Sequence, residues 1–249
     1  MKTVFLFFLI FLFSCSSYEI KNDYKIVAHR GYWQTEGSAD NSIASLKKAI
    51  RLGVDGIELD ICVTKDDSII VIHGPKHAGM DIANTNFDKL WKVRLSNGER
   101  ISTFRGYLQE INPMDVCSYF VELKTNRQIK EIVEIVNEHG LMSKVHFLSF
   151  DWQTCRELRS YNESYKISYL GGNKTPLELK DAELTGFSYE LAVLKKKPEW
   201  IKEAKEYGLT TNVWVVKTES DLLWCVNNGV EYITTDNPLL MKSFLYSYK

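Results

Sequence analysis

The 249-residue chain has almost no net charge: 31 Lys and Arg stand against 32 Asp and Glu, leaving −1 with His neutral. It therefore carries neither a basic field for a nucleic acid backbone nor a strong acidic one, and a partner must be recognised locally. Cysteine is scarce, with five residues at 15, 62, 117, 155 and 225. None stands in CxxC spacing, which argues against a thiolate zinc site. No GxGxxG follows the first strand, so a dinucleotide-binding sheet is disfavoured. Neither a short-period repeat nor a linker divides the chain. The apolar run Val4 to Phe13 would span about 15 Å as a helix, half of a bilayer core of about 30 Å.

That run follows Lys2 and ends in Ser14-Cys15-Ser16-Ser17, the pattern of a signal peptide and not of a membrane span. Leu12-Phe13-Ser14-Cys15 resembles the bacterial lipobox, in which the Cys becomes a lipidated N-terminus, although Phe13 stands where a small residue is usual. The expected organisation is a lipoprotein-type signal peptide over 1–14, lipidation at Cys15, a tether over 15–24 and one domain over 25–249. The protein is then an exported, membrane-anchored lipoprotein on the periplasmic or cell-surface side. Plain secretion with an incidental Cys15 is the alternative. Removing 14 residues from 249 leaves 235, enough for one large α/β domain.

Gly56-Ile-Glu-Leu-Asp-Ile-Cys-Val-Thr64 organises that domain. Alternation in a strand puts Glu58 and Asp60 on one face and Ile57, Leu59 and Ile61 on the other. Two carboxylates side by side in an apolar strand require a cation or basic group between them, and a hard metal ion fits. The turn Lys65-Asp66-Asp67-Ser68 is too short for a crossover helix, so Ile69 to His73 must return antiparallel and bring His73 back towards the carboxylates.

A strand at Lys25 to Ala28, ending in His29-Arg30-Gly31, precedes a helix with Ile43, Leu46 and Ile50 at helical spacing, closed by Gly53. Residues 74–100 form a short insertion with a helix near 87–93. Strands then start near 118, 145, 166, 186, 209 and 231, with helices between them. Apart from the hairpin return, eight strands alternate with helices, which predicts a (β/α)8 TIM barrel with an extra antiparallel hairpin strand after barrel strand 2.

Side chains at the C-terminal strand ends form the active site of such a barrel. Here they are His29, Arg30, Glu58, Asp60, His73, Glu122, Lys124, Trp214 and Asp236. Three acids suit one divalent cation, Ca²⁺ or Mg²⁺. Arg30 and Lys124 suit an anion beside it, so a phosphate or phosphodiester is implied.

With His29-Arg30-Gly31, Glu58-Leu59-Asp60, Thr64-Lys65-Asp66, His73, Glu122-Leu123-Lys124, Val213-Trp214 and Thr235-Asp236-Asn237-Pro238, the chain resembles the glycerophosphodiester phosphodiesterase family over residues 25 to 240. The resemblance implies a (β/α)8 barrel in which His29 and His73 are acid and base, and Glu58, Asp60 and Glu122 bind the metal. Arg30 and Lys124 would contact phosphate, and Trp214 would line the glycerol side. The implied reaction hydrolyses a glycerophosphodiester to glycerol phosphate and an alcohol through a cyclic phosphate. The alternatives are a phospholipase or lyase of the same superfamily acting on lysophospholipids, or a non-catalytic phosphodiester-binding lipoprotein. The chain departs from the family pattern twice. Ala39-Asp40-Asn41 replaces Pro-Glu-Asn, with Asp40 expected as a helix cap, and His73-Gly74 replaces His-Asp.

Overall fold

The computed structural model describes residues 24–246 apart from 113 and 116. The expected signal peptide and Cys15 lie outside the described residues. Strand β1 (Lys25–Ala28) and helix α1 (Ile43–Leu52) lead to β2 (Gly56–Val63), which turns back into β3 (Ile69–Val71). An excursion follows, built from a two-stranded ribbon, β4 (Lys76–His77) and β5 (Met80–Asp81), a 3-10 turn (Ile82–Asn84), α2 (Phe87–Lys92) and α3 (Phe104–Leu108). The alternation then continues with β6 (Ser118–Leu123), α4 (Ile129–Glu138), β7 (Val145–Ser149), α5 (Trp152–Tyr161), β8 (Lys166–Tyr169) and α6 (Pro176–Asp181). It ends with β9 (Gly186–Glu190), α7 (Leu191–Lys196), α8 (Glu199–Glu206), β10 (Thr210–Trp214), α9 (Glu219–Asn227), β11 (Tyr232–Thr235) and α10 (Pro238–Tyr246).

Strands β1, β2 and β6 to β11 pair in parallel, and β1 bonds to both β11 and β2, which closes an eight-stranded barrel. Strand β3 adds antiparallel to the end of β2, with Ile61 opposite Val71 and Val63 opposite Ile69. The expected TIM barrel and its extra hairpin strand are both present.

The alternation in β2 explains its position. Ile57, Leu59 and Ile61 join the large core between strands and helices, which frees Glu58 and Asp60 for the barrel interior. Below the acids, Val27, Phe120, Leu148, Leu170 and Tyr232 plug the barrel, with Trp214 packed on them. His146 also lies there, stacked on Phe120 with ring centroids 4.5 Å apart.

Two local readings change. Helix α1 is capped by Ser42, whose side chain accepts from the Ser45 N–H, and not by Asp40, which lies two residues too early for that role. Helix α7 was not anticipated, because six residues directly after a strand are too few to display a helical period.

Candidate active site

Register accounts for the acidic centre. In the parallel pair β2–β6, Asp60 stands beside Glu122 and Glu58 beside Phe120. Adjacent inward positions on neighbouring strands place Asp60 and Glu122 together, and Glu58 lies two residues below Asp60 on the same face. One oxygen from each of Glu58, Asp60 and Glu122 lies within 4.8 Å of the others. The residues are only 3%, 0% and 8% exposed.

Each acid is held differently. Glu58 Oε2 accepts the Arg30 backbone N–H at 2.8 Å, while its buried Oε1 has no hydrogen-bond partner among the described residues. Asp60 Oδ2 accepts the Asn41 amide at 2.8 Å, and the Asp60 N–H donates to Asn41 Oδ1 at 3.0 Å. Arg30 Nε lies 3.4 Å from Asp60 Oδ2, and Lys124 Nζ lies 3.2 Å from Asp60 Oδ1 and also pairs with Glu122. Lys124 follows β6 and so reaches back over both acids.

The charges of the three acids act on one another. Burial, then the charges of Asp60 and Glu122, push the Glu58 carboxyl well above the usual range. Burial and Asp60 raise Glu122 to about 7 against the pull of Lys124. Asp60 is also raised by burial, but Lys124, Asn41 and Arg30 together hold it below its ordinary value. A cavity that keeps three acids together with only partial neutralisation, with the buried Glu58 Oε1 and Asp60 Oδ1 both without a hydrogen-bond partner among the described residues, is suited to a divalent cation. Its all-oxygen donor set favours a hard ion.

Two imidazoles open on the same cavity as Glu58 and Glu122. His29 follows β1 and Asp236 follows β11, and since Ala28 pairs with Thr235 the next residues meet across the barrel closure. His29 Nδ1 donates to Asp236 Oδ1 at 2.7 Å, and the Trp33 indole N–H donates to the same oxygen at 3.2 Å. Burial raises the Asp236 carboxyl, but the hydrogen bond and charge of His29 outweigh it and leave the group below its ordinary value. The other ring nitrogen of His29 lies 3.9 Å from Glu58 Oε2. His73 follows β3, and burial, partly offset by Asp60, lowers its pKa and favours the neutral ring.

Backbone conformation supports these placements. Arg30 and Asn41 both have left-handed φ, 54° and 58°, and Asn41 N–H donates to Arg30 O at 3.1 Å. Asn tolerates that region and Arg does so rarely, so the turn at Arg30 is held by its surroundings. Gly31, at φ 76°, sits where a Cβ would come within 2.7 Å of the Ser45 backbone, so glycine is required after His29-Arg30.

The cavity of about 270 Å³ is also lined by Arg30, Lys124, Phe150, Ser188, Asn212 and Trp214. The Trp214 indole donates to Ser188 O at 2.9 Å and meets Phe150 edge to face, with centroids 6.0 Å apart. The eight barrel residues given roles by the resemblance, and Asp236 beside them, therefore gather at its C-terminal mouth. Sequence reasoning passed over Asn41, and it placed Asp236 at the barrel mouth without giving it a role.

The chain was compared with known proteins. Residues 29–240 match the model of the glycerophosphoryl diester phosphodiesterase family. This chain belongs to that family. Glycerophosphoryl diester phosphodiesterases are phosphoric diester hydrolases. A glycerophosphodiester phosphodiesterase of Caldanaerobacter subterraneus is 25% identical over 236 residues, covering 86% of this chain and 94% of that protein. The crystal structure of a glycerophosphodiester phosphodiesterase from Parabacteroides distasonis superposes with a TM-score of 0.87 at 35% identity, covering 91% of this chain and 98% of that one. An Oleispira antarctica phosphodiesterase, in complex with its product sn-glycerol-3-phosphate, shares the fold with a TM-score of 0.76 at 20% identity, covering 89% and 96% of the two chains.

Proposed function

We propose that the chain hydrolyses small glycerophosphodiesters to glycerol phosphate and an alcohol. The observation that carries this reading is the meeting of three buried acids, two basic side chains and two imidazoles around one cavity at the barrel mouth. Glu58, Asp60 and Glu122 would hold one divalent cation, Ca²⁺ or Mg²⁺. When bound, such an ion neutralises charge on the non-bridging phosphate oxygens.

The remaining work falls to the chain's own residues. Arg30 and Lys124 sit beside Asp60 and orient an anionic phosphate against the acidic centre. One imidazole takes the proton from the neighbouring glycerol hydroxyl, whose oxygen attacks phosphorus. The other gives a proton to the departing alcohol oxygen. Each contribution is typically about 10²- to 10⁴-fold. Water then opens the resulting cyclic phosphate. His29 and His73 fill these roles, with His29 oriented by Asp236 and His73 kept neutral by burial. Trp214 and Phe150 present an apolar wall to the glycerol arm.

Phosphorus NMR of glycerophosphocholine incubated with the protein tests the reading. Glycerol phosphate is expected to form and to stop forming on chelation, and His29→Ala and His73→Ala are each expected to slow release by at least about 10²-fold. Chelator-resistant release would remove the cation from the account. Accumulated cyclic phosphate would favour a lyase, and binding without turnover would favour a phosphodiester-binding protein. We further propose an exported lipoprotein anchored through Cys15. Cys15→Ala should then move the protein from the membrane fraction to the soluble one.

A further inference from the structure

The closing residues of the insertion after β3 grip the start of α1. Glu99 Oε2 accepts the Ile43 N–H at 2.9 Å, and Oε1 accepts the Ala44 N–H at 3.1 Å and the Asn97 amide at 2.7 Å. The Glu99 main chain is fixed as well, with its N–H on Asn97 Oδ1 at 3.1 Å and its carbonyl accepting the Leu95 N–H at 2.8 Å. Helix α1 has no acid in its own first turn, and the Ser42 side chain reaches the Ser45 N–H but neither of the two before it. A carboxylate 56 residues further along the chain therefore satisfies those two N–H groups and meets the positive end of the helix.

The start of α1 carries the support of the acidic centre. Asn41, the residue before the cap, accepts the Asp60 N–H at 3.0 Å and donates to the Asp60 carboxylate at 2.8 Å. The Asn41 N–H and the Ser45 hydroxyl both donate to Arg30 O, at 3.1 and 3.0 Å, and the Arg30 N–H donates to Glu58 at 2.8 Å. The first turn of α1, the left-handed turn at Asn41 and the Arg30 peptide thus form one unit, set by hydrogen bonds against Glu58 and Asp60. Glu99 holds this unit from behind: its side chain is half-buried and is not on the cavity wall.

We propose that Glu99 is a positioning residue for the cation site: by clamping the start of α1 it holds Asn41 and the Arg30 N–H in place, and with them the Asp60 and Glu58 carboxylates. The inference rests on the cation reading of Glu58, Asp60 and Glu122 and makes the insertion part of that site's support. Loss of a group that hydrogen-bonds a metal ligand typically weakens metal binding by about 10- to 100-fold. Asn41 is such a group, and loss of the Glu99 charge, one contact further out, should weaken binding by about 3- to 10-fold.

Mn²⁺ binding, followed by the electron paramagnetic resonance of the free ion, tests this without turnover. Glu99→Gln should raise the Kd by about 3- to 10-fold, and in an Asn41→Ala background it should add less than about twofold. Glu178→Gln is the control for a purely structural effect, since Glu178 accepts the Thr175 N–H at 2.8 Å at the start of α6, off the cavity wall. It should lower Tm and leave the Kd unchanged. A lower Tm with an unchanged Kd in Glu99→Gln overturns the inference, as does a Kd raised equally in both backgrounds or raised equally by Glu178→Gln. Should Glu99→Gln fail to fold, Asn97→Ala, which frees Glu99 Oε1 from one partner, is read against the same criteria. Wild type that binds no Mn²⁺ overturns the cation reading, and the inference falls with it. Wild type that binds Mn²⁺ but releases no glycerol phosphate overturns the diesterase reading alone.

Discussion

Replacing Asp236 by Asn separates charge from shape in the His29 pair. The carboxylate receives the His29 Nδ1–H at 2.7 Å and the Trp33 indole at 3.2 Å on one oxygen, and an amide carbonyl can accept both in the same geometry. What the substitution removes is the charge on the group that holds the His29 ring in place. A hydrogen bond to a charged group contributes about 1.5–3 kcal/mol, which corresponds to about 10- to 150-fold in rate if expressed mainly in the transition state. Asp236 is not on the cavity wall, so substrate binding should be little affected. Steady-state hydrolysis of glycerophosphocholine should therefore show kcat reduced by about 10- to 150-fold and KM within about twofold. A thermal melt serves as the control for folding. A kcat within about threefold of wild type would refute the idea that Asp236 positions His29, as would a loss confined to KM.

Glu122→Gln should abolish the rise in Tm that Mg²⁺ or Ca²⁺ gives the wild-type protein, since the cation stabilises only what it binds; an undiminished rise would place the ion elsewhere. His146 predicts a pH effect on stability. Burial, with Lys166 and Lys25 nearby, lowers its pKa from the ordinary 6.5 to about 3, so the unfolded chain binds one more proton between these values. Its contribution is thus intact above pH 6.5 and lost as pH falls towards about 3, at up to about 1.36 kcal/mol per pH unit. His146→Gln should flatten that part of the stability curve in denaturant titrations, and an identical slope would contradict the assignment. Gly74 replaces the family's usual Asp, and at φ 64° a Cβ there would lie 2.7 Å from Cys62 Sγ. Gly74→Asp should cost about 1–3 kcal/mol by chemical denaturation. Adding Cys62→Ala should recover part of this, and equal costs in both backgrounds would rule out the clash.

Local pattern made much of the barrel readable before the structure. Alternation in β2 separated Glu58 and Asp60 from Ile57, Leu59 and Ile61, and the short turn after Thr64 forced β3 to run antiparallel. The site was less legible where it depends on closure of the barrel. His29 and Asp236 meet because β1 pairs with β11, a contact between residues 207 apart that no local signal announces. Asn41 reads as a loop residue, and its two hydrogen bonds to Asp60 exist only because the loop after β1 folds back over β2 at a left-handed turn. Asp40 was expected to cap α1 because acids often do, but the loop places Ser42 at the cap.

The central claim is that three acids from two strands hold one divalent ion beside the phosphate site. Anomalous diffraction from crystals soaked in Mn²⁺ tests it most directly. The account predicts one strong peak within coordination distance of Glu58, Asp60 and Glu122, in the cavity that His29 and His73 face. A fully occupied peak elsewhere, with none at the three carboxylates, would contradict it.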